Sequence, residues 1–208
     1  MNISDKDVYE YMINFADDKT ILNMLSVNRK FRDEEFFERI MKRRYPLLIE
    51  FRKDGESWKH LFIRMVHILA TLQEKYQLPY IPTKGCSPER LLKSKDIYRD
   101  ATICAAVGDH VDILKYLIEK KKIKISDIRL VTTAARYGSL KVMKYLLEFH
   151  PTSYLDKKFA VRNAINYSNL VSLKFLHIKI GYVFDSEDLQ YAKQFGSPEV
   201  YDYIKHFV

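Results

Sequence analysis

The sequence is poor in cysteine, with two in 208 residues, Cys86 and Cys104. Neither stands in a CxxC or Cys/His ligand spacing, and two such residues make no disulfide framework, so a reducing interior is the compartment expected. No run approaches the roughly 18 consecutive apolar residues of a membrane span. The start, MNISDKDVYEYM, lacks the basic-then-apolar layout of a secretory leader. An intracellular, cytoplasmic protein with no membrane partner is expected. Six scattered glycines leave no glycine-rich phosphate loop, and neither a Gly-x-Ser-x-Gly elbow nor a Cys/His pairing is present. The histidines are His60, His67, His110, His150, His177 and His206, and none is spaced with a second histidine and a carboxylate as metal ligands are. Glu34 and Glu35 stand side by side, which reads as a helix start favoured by the macrodipole. No catalytic, cofactor-binding or metal-binding residue is assigned, and an enzyme is not expected.

What is present is an ordinary globular composition, 47% hydrophobic and 30% charged, too apolar for a disordered chain. The net charge of +8 raises the question of nucleic acid. The excess is thin in both halves: 19 basic against 16 acidic residues in 1–100, and 16 against 11 in 101–208. The basic run Lys120, Lys121, Lys122 and Lys124 reads as a solvated loop. A nucleic-acid partner is therefore not the first expectation.

A repeat organises the second half. AAVGDHVDILKYL (Ala105 to Leu117) lies without gaps over AARYGSLKVMKYL (Ala134 to Leu146), an offset of 29; NAINYSNLVSLKFL and YAKQFGSPEVYDYI continue the series. Each repeat reads as a small-residue helix carrying Ala105, Ala134, Ala164 or Ala192, a tight turn, and a second helix with one apolar face, such as Leu140, Met143, Leu146 and Leu147. Gly138 and Gly196 can supply positive φ in the turn, with Asp109 and Ser168 in the same slot. Ser139, Asn169 and Ser197 follow as N-caps, and Pro198 suits the first helical position. Tyr116, Tyr145, Phe175 and Tyr203 share a repeat position and are expected to form an aromatic column at or beside the core.

AARYGSLKVMKYLLE and AAVGDHVDILKYLIE resemble the core of the ankyrin repeat, an Ala pair, two variable residues, Gly, then an apolar helix ending in Leu-Leu. The Thr-Pro-Leu-His tetrapeptide is absent, with Arg129 to Thr132 in its place, and the repeats run short of the usual length, which leaves plain loops as the alternative to β-turn fingers. The resemblance spans residues 97–208 and implies a non-enzymatic, protein-binding solenoid. In such a stack the variable residues before the turn are free of stacking duties. Here they include Arg136, Tyr137, Tyr167 and Phe195, the target-binding residues expected, with packing against the next turn as the alternative role.

The first half does not repeat. It reads as three short helices, Asp7 to Ala16, Lys19 to about Phe31 and Glu34 to Arg44, followed by a long helix with the stripe Trp58, Leu61, Phe62, Met65, Leu69, Leu72 and Tyr76, and a helix opened by Ser87-Pro88. DDKTILNMLSVNRKF followed by DEEFFERIMKRRYP resembles the F-box: Ile21 and Leu22 stand at its Leu pair, Val27 at its Val, Arg29 and Lys30 at its basic pair, and Phe31 at its Trp. Ser4 and Asp5 replace the usual opening Leu-Pro. The alternative is a helical cap without that ancestry. The fold expected is thus all-α, an ankyrin-type helical solenoid at 97–208 preceded by an F-box-like segment at 1–46 and connecting, capping helices at 47–96. The combination resembles the F-box/ankyrin proteins of giant DNA viruses, which would place it in host cytoplasm. The F-box resemblance implies docking to the adaptor subunit of a cullin-type ubiquitin ligase, through Met12, Ile21, Leu22, Leu25, Val27 and Phe31, with Met12, Ile21, Leu25 and Phe31 either touching the adaptor or forming the core beneath that face. The repeats would hold a target protein of unknown identity. The alternatives are a plain scaffold with no ligase link and a basic nucleic-acid binder.

Overall fold

A computed structural model of the chain describes residues 16–27, 34–123, 130–149 and 154–208. Among these residues all regular structure is helical, and no helix is long and apolar enough to cross a membrane. The chain divides into two compact units, Met1–Lys93 and Ser94–Val208. Residues after 46 share a core with the helices before them. Neither Cys86 nor Cys104 is a free thiol.

In the first unit, α1 is Asp18–Val27, α2 Glu34–Arg44, α3 Trp58–Tyr76 and α4 Pro88–Leu92, with a short 3₁₀ segment at Pro46–Phe51. The helix expected from Asp7 falls outside the described residues. Charge sets the ends of α2, with Glu34 and Glu35 in its first turn and Lys42, Arg43 and Arg44 in its last, each sign facing the dipole end that favours it. Ser57 caps α3 by accepting the His60 amide at 3.2 Å, and Ser87 caps α4 from the residue before Pro88. Apolar spacing then dictates the packing: Phe37, Ile40 and Met41 of α2 meet Leu61, Phe62 and Met65 of α3, all fully buried, with Ile21 of α1 and Leu48 beside them. Arg64 pins the segments flanking α3, reaching Glu56 at 2.6 Å, Glu89 at 2.5 Å and the Phe51 carbonyl at 2.9 Å.

The second unit is a run of helix pairs: α5 (Ile97–Val107) with α6 (Val111–Lys121), α7 (Leu130–Tyr137) with α8 (Leu140–Phe149), α9 (Tyr154–Asn166) with α10 (Leu170–Lys174), and α11 (Ser186–Phe195) with α12 (Pro198–Lys205). A π turn at Phe175–Lys179 extends α10. The first helix of each pair packs on the first helix of the next, in the order α5, α7, α9, α11. Alanine permits the close approach: Ala105, Ala134, Ala164 and Ala192 are fully buried in one continuous core.

The turns inside the first three pairs follow one plan. Asp109, Gly138 and Ser168 take φ of 59°, 76° and 52°. The next amide reaches back five residues, from His110, Ser139 and Asn169 to the carbonyls of Ala105, Ala134 and Ala164 at 2.9, 2.9 and 2.7 Å. This is a left-handed C-cap of the Schellman type, which satisfies carbonyls that a helix end leaves open. The fourth turn departs from the expectation of positive φ at Gly196, which instead takes φ −85° and ψ 163°. Pro198 disfavours the helical region for Ser197, which sits at ψ 160° against 76° and 80° for His110 and Asn169. Gly196 is needed for space instead, since a Cβ there would stand 2.8 Å from the Ala192 carbonyl oxygen. Ser197 makes no side-chain cap, contrary to its expected role.

Candidate functional site

The turns are stitched to one another along the stack. The Asp109 carboxylate accepts the Val142 amide at 2.9 Å, the Ser139 hydroxyl donates to the Val107 carbonyl at 3.1 Å, and the Asn169 amide group donates to the Arg136 carbonyl at 3.5 Å. Asn169 also caps α10 by accepting from Ser172. Such bonds fix the spacing of the residues just before each turn. These are the ends of α7, α9 and α11, where Tyr137, Tyr167 and Phe195 lie.

Those three rings are 49%, 50% and 47% exposed, so each is half open to a partner. None belongs to the buried core, which the same helices fill with Ala134, Ala135, Val161, Ala164, Ile165 and Ala192. The covered halves have identifiable neighbours. The Arg136 guanidinium carbon lies 3.9 Å from the centre of the Tyr167 ring and 5.1 Å from that of Tyr137, a cation–π arrangement that restrains the guanidinium. One helix pair further on, Arg162 of α9 lies over Tyr191 of α11 at 5.2 Å, and Tyr191 stacks against Phe195 with ring centres 4.7 Å apart. Two arginines thus each lie on a tyrosine of the following pair.

Their charges differ in compensation. Arg162 is 3.5 Å from Glu187, which also takes Lys158 at 2.8 Å. The Lys158 ammonium is held charged to well above the usual lysine range by Glu187 first and by Asp185 second. Arg136 has no carboxylate in ion-pair reach among the described residues. Arg162 and Tyr191 were not singled out from sequence. The readable signal was Tyr191 and Phe195 at i and i+4 on one helix, with Arg162 one turn before the variable pair of its own repeat.

Three residues of the expected aromatic column lie at or beside the core, two of them with a lysine over the ring. Tyr145 is buried, Phe175 and Tyr203 pack partly buried against the core, and Lys115 and Lys174 lie over Tyr145 and Tyr203 at 5.2 and 5.5 Å.

The F-box-like residues fare differently. Ile21 is fully buried among Phe36, Phe37 and Ile40, so of its two expected places, adaptor contact or the core beneath, it takes the core, where the apolar face of α1 is used against α2. Leu22 packs partly buried beside it. Leu25 and Val27 belong to α1, but their side chains are outside the described residues, as are Met12 and Phe31 altogether. The Asp18 carboxylate ties α1 to the end of α2, accepting from Arg44 at 3.2 Å and from the Tyr45 hydroxyl. Burial, and then that carboxylate, push the Tyr45 phenol well above its usual range.

No group of three or more His, Cys, Asp or Glu among the described residues is placed to hold a metal ion. No protein-family model matches the chain, and no curated protein or solved structure is significantly similar to it.

Proposed function

We propose that the chain is a non-enzymatic protein-binding adaptor whose residues 97–208 form an ankyrin-type solenoid. The observation that carries this reading is the row of half-open rings, Tyr137, Tyr167 and Phe195, repeated at the ends of successive first helices beside Arg136. Aromatic residues and arginine on a preorganised frame are the composition of an interface hot spot. The alanine-lined stacking of the first helices and the recurrent left-handed turns support the solenoid. Residues 182–185, between the last two pairs, are coil without a strand, consistent with trimmed fingers.

The test is affinity capture from cell extract with the full chain and with the double variant Arg136→Ala/Tyr137→Ala. A partner held by the parent protein is expected to bind the variant at least about fivefold more weakly, or roughly 1 kcal/mol, with an unchanged melting temperature. The same partners at the same strength would remove the row from the interface, and a lowered melting temperature with unchanged binding would assign it to packing.

The F-box resemblance gives this adaptor a specific form, a substrate receptor that tethers its target to a cullin-type ligase and acts by raising the effective concentration around target lysines. A complex of the full chain with the ligase adaptor subunit at micromolar concentration is the expected result, and its absence would overturn the ligase link. A second reading, a scaffold whose first unit serves no ligase, is favoured by one observation: Ile21 is spent on the core that α1 and α2 share with α3.

A further inference from the structure

We infer that Arg136 is a receptor for a carboxylate on an acidic segment of the partner protein, an inference that rests on the aromatic row being a protein-binding surface. The guanidinium is positioned without an anion. The cation–π contact 3.9 Å from the Tyr167 ring centre restrains it, and its Nε, like that of Arg162, is shielded from solvent and has no hydrogen-bond acceptor. The other part-buried arginines among the described residues have carboxylates: Arg44 pairs with Asp18, Arg64 with Glu56 and Glu89, and Arg162 with Glu187. Arg136 alone of this group lacks one among the described residues. A restrained planar fork, short of acceptors, matches a carboxylate through paired N–H···O bonds.

The surroundings select the kind of anion. Lys158 and Arg162 are already neutralised by Asp185 and Glu187, so the cations of α9 are compensated within the fold while Arg136 is not. The Tyr167 face that a nucleobase would use is covered by the guanidinium itself. Half-open rings on either side, Tyr137 and Tyr167, suit an apolar side chain next to the acid. The occupant is therefore an Asp or Glu adjoining an aromatic or aliphatic residue in a protein segment.

The experiment is selection of short random peptides displayed on phage against the full chain, followed by affinity measurement with individual peptides. Enrichment of Asp or Glu beside an apolar residue is expected. Arg136→Ala should weaken such a peptide by at least about tenfold. Arg136→Lys should do nearly as much, because it keeps the charge but loses the fork, and it serves as the readout if the alanine variant unfolds. Amidating the peptide's acid should cost the same, and the two changes should not add. Peptides that carry no acid, or whose acid is indifferent to Arg136, overturn the inference. If those peptides still depend on Tyr137, Tyr167 and Phe195, the protein-binding face stands and only the carboxylate receptor fails. No selectable peptide overturns both. Single-stranded oligonucleotide bound through Arg136 with a steep salt dependence overturns the partner class.

Discussion

Asp109, Gly138 and Ser168 occupy one place in three successive turns and share a left-handed backbone, yet replacing them by glycine should not have one effect. An L-residue in that region costs about 1–2 kcal/mol, while a new glycine loses roughly 0.5–1 kcal/mol through the unfolded chain. Ser168, exposed, should therefore gain about 0.5 kcal/mol on Ser168→Gly, read as a higher denaturant midpoint with the same m-value. Asp109→Gly should instead lose about 1 kcal/mol, because the carboxylate that accepts the Val142 amide goes with it. Equal shifts for the two would show that the stitch contributes nothing. Asp188 offers a third case. Its carboxyl is fully buried, accepts from the Tyr182 hydroxyl at 2.9 Å and leaves its other oxygen without a donor. Burial pushes it above the ordinary carboxylate range. A raised folded value means that ionisation opposes folding once the pH is above it, so Asp188→Asn should hold or raise the melting temperature at neutral pH. A clear fall would contradict the burial argument. The left-handed slot was legible in the sequence from the glycine at 138 and its aligned partners. Gly196 was misread, since the same letter there answers a steric demand created by its neighbours Ala192, Val200 and Ile165, which no alignment of turns displays.

Among the elements, α3 shows how a loop is fastened to a helix. Arg64 gathers Glu56, Glu89 and the Phe51 carbonyl, and its hydrogen bond to Glu56 holds that carboxyl at about 2 against an ordinary 4.5. A lowered folded value stabilises the native state above about pH 4.5, and the contribution fades as the pH falls toward 2. Glu56→Gln should therefore lower the melting temperature at pH 7, and the gap from the parent protein should close on acidification toward pH 2. A gap independent of pH would mean that the ion pair is immaterial. The helices themselves were readable. The 3.6-residue stripe from Trp58 to Tyr76 needs only its own spacing to announce a buried face, and α2 is bracketed by acids and bases. What the stripe faced was not readable: α2 and α3 proved to be partners in one core, which Ile21 joins.

At the scale of the molecule, charge and repetition lead to different partners. The net charge of +8 is broken up by pairs such as Arg39 with Glu35, Lys42 with Glu38 and Lys158 with Glu187. Binding to random duplex DNA should then be no tighter than the roughly 10⁻⁴–10⁻⁶ M of unspecific contacts at physiological salt; a tighter, steeply salt-dependent isotherm would favour the nucleic-acid alternative. Position in the repeat was enough to nominate Arg136, Tyr137, Tyr167 and Phe195, but the stacking of Arg136 on the next pair's tyrosine depends on how far one turn sits from the next, and sequence spacing does not give that. The turn stitches do, and they stop short. Ser197, at the place of Ser139 and Asn169, is swung away by Pro198 and its buried hydroxyl finds no partner. Viewed as a set of latches against opening, the first three pairs are fastened turn to turn and the fourth is not. Amide protons of α12 should therefore trade with solvent deuterium sooner than those of α8, whose Val142 amide is held from the neighbouring turn, and removing the Asp109 latch should narrow that difference from the slow side.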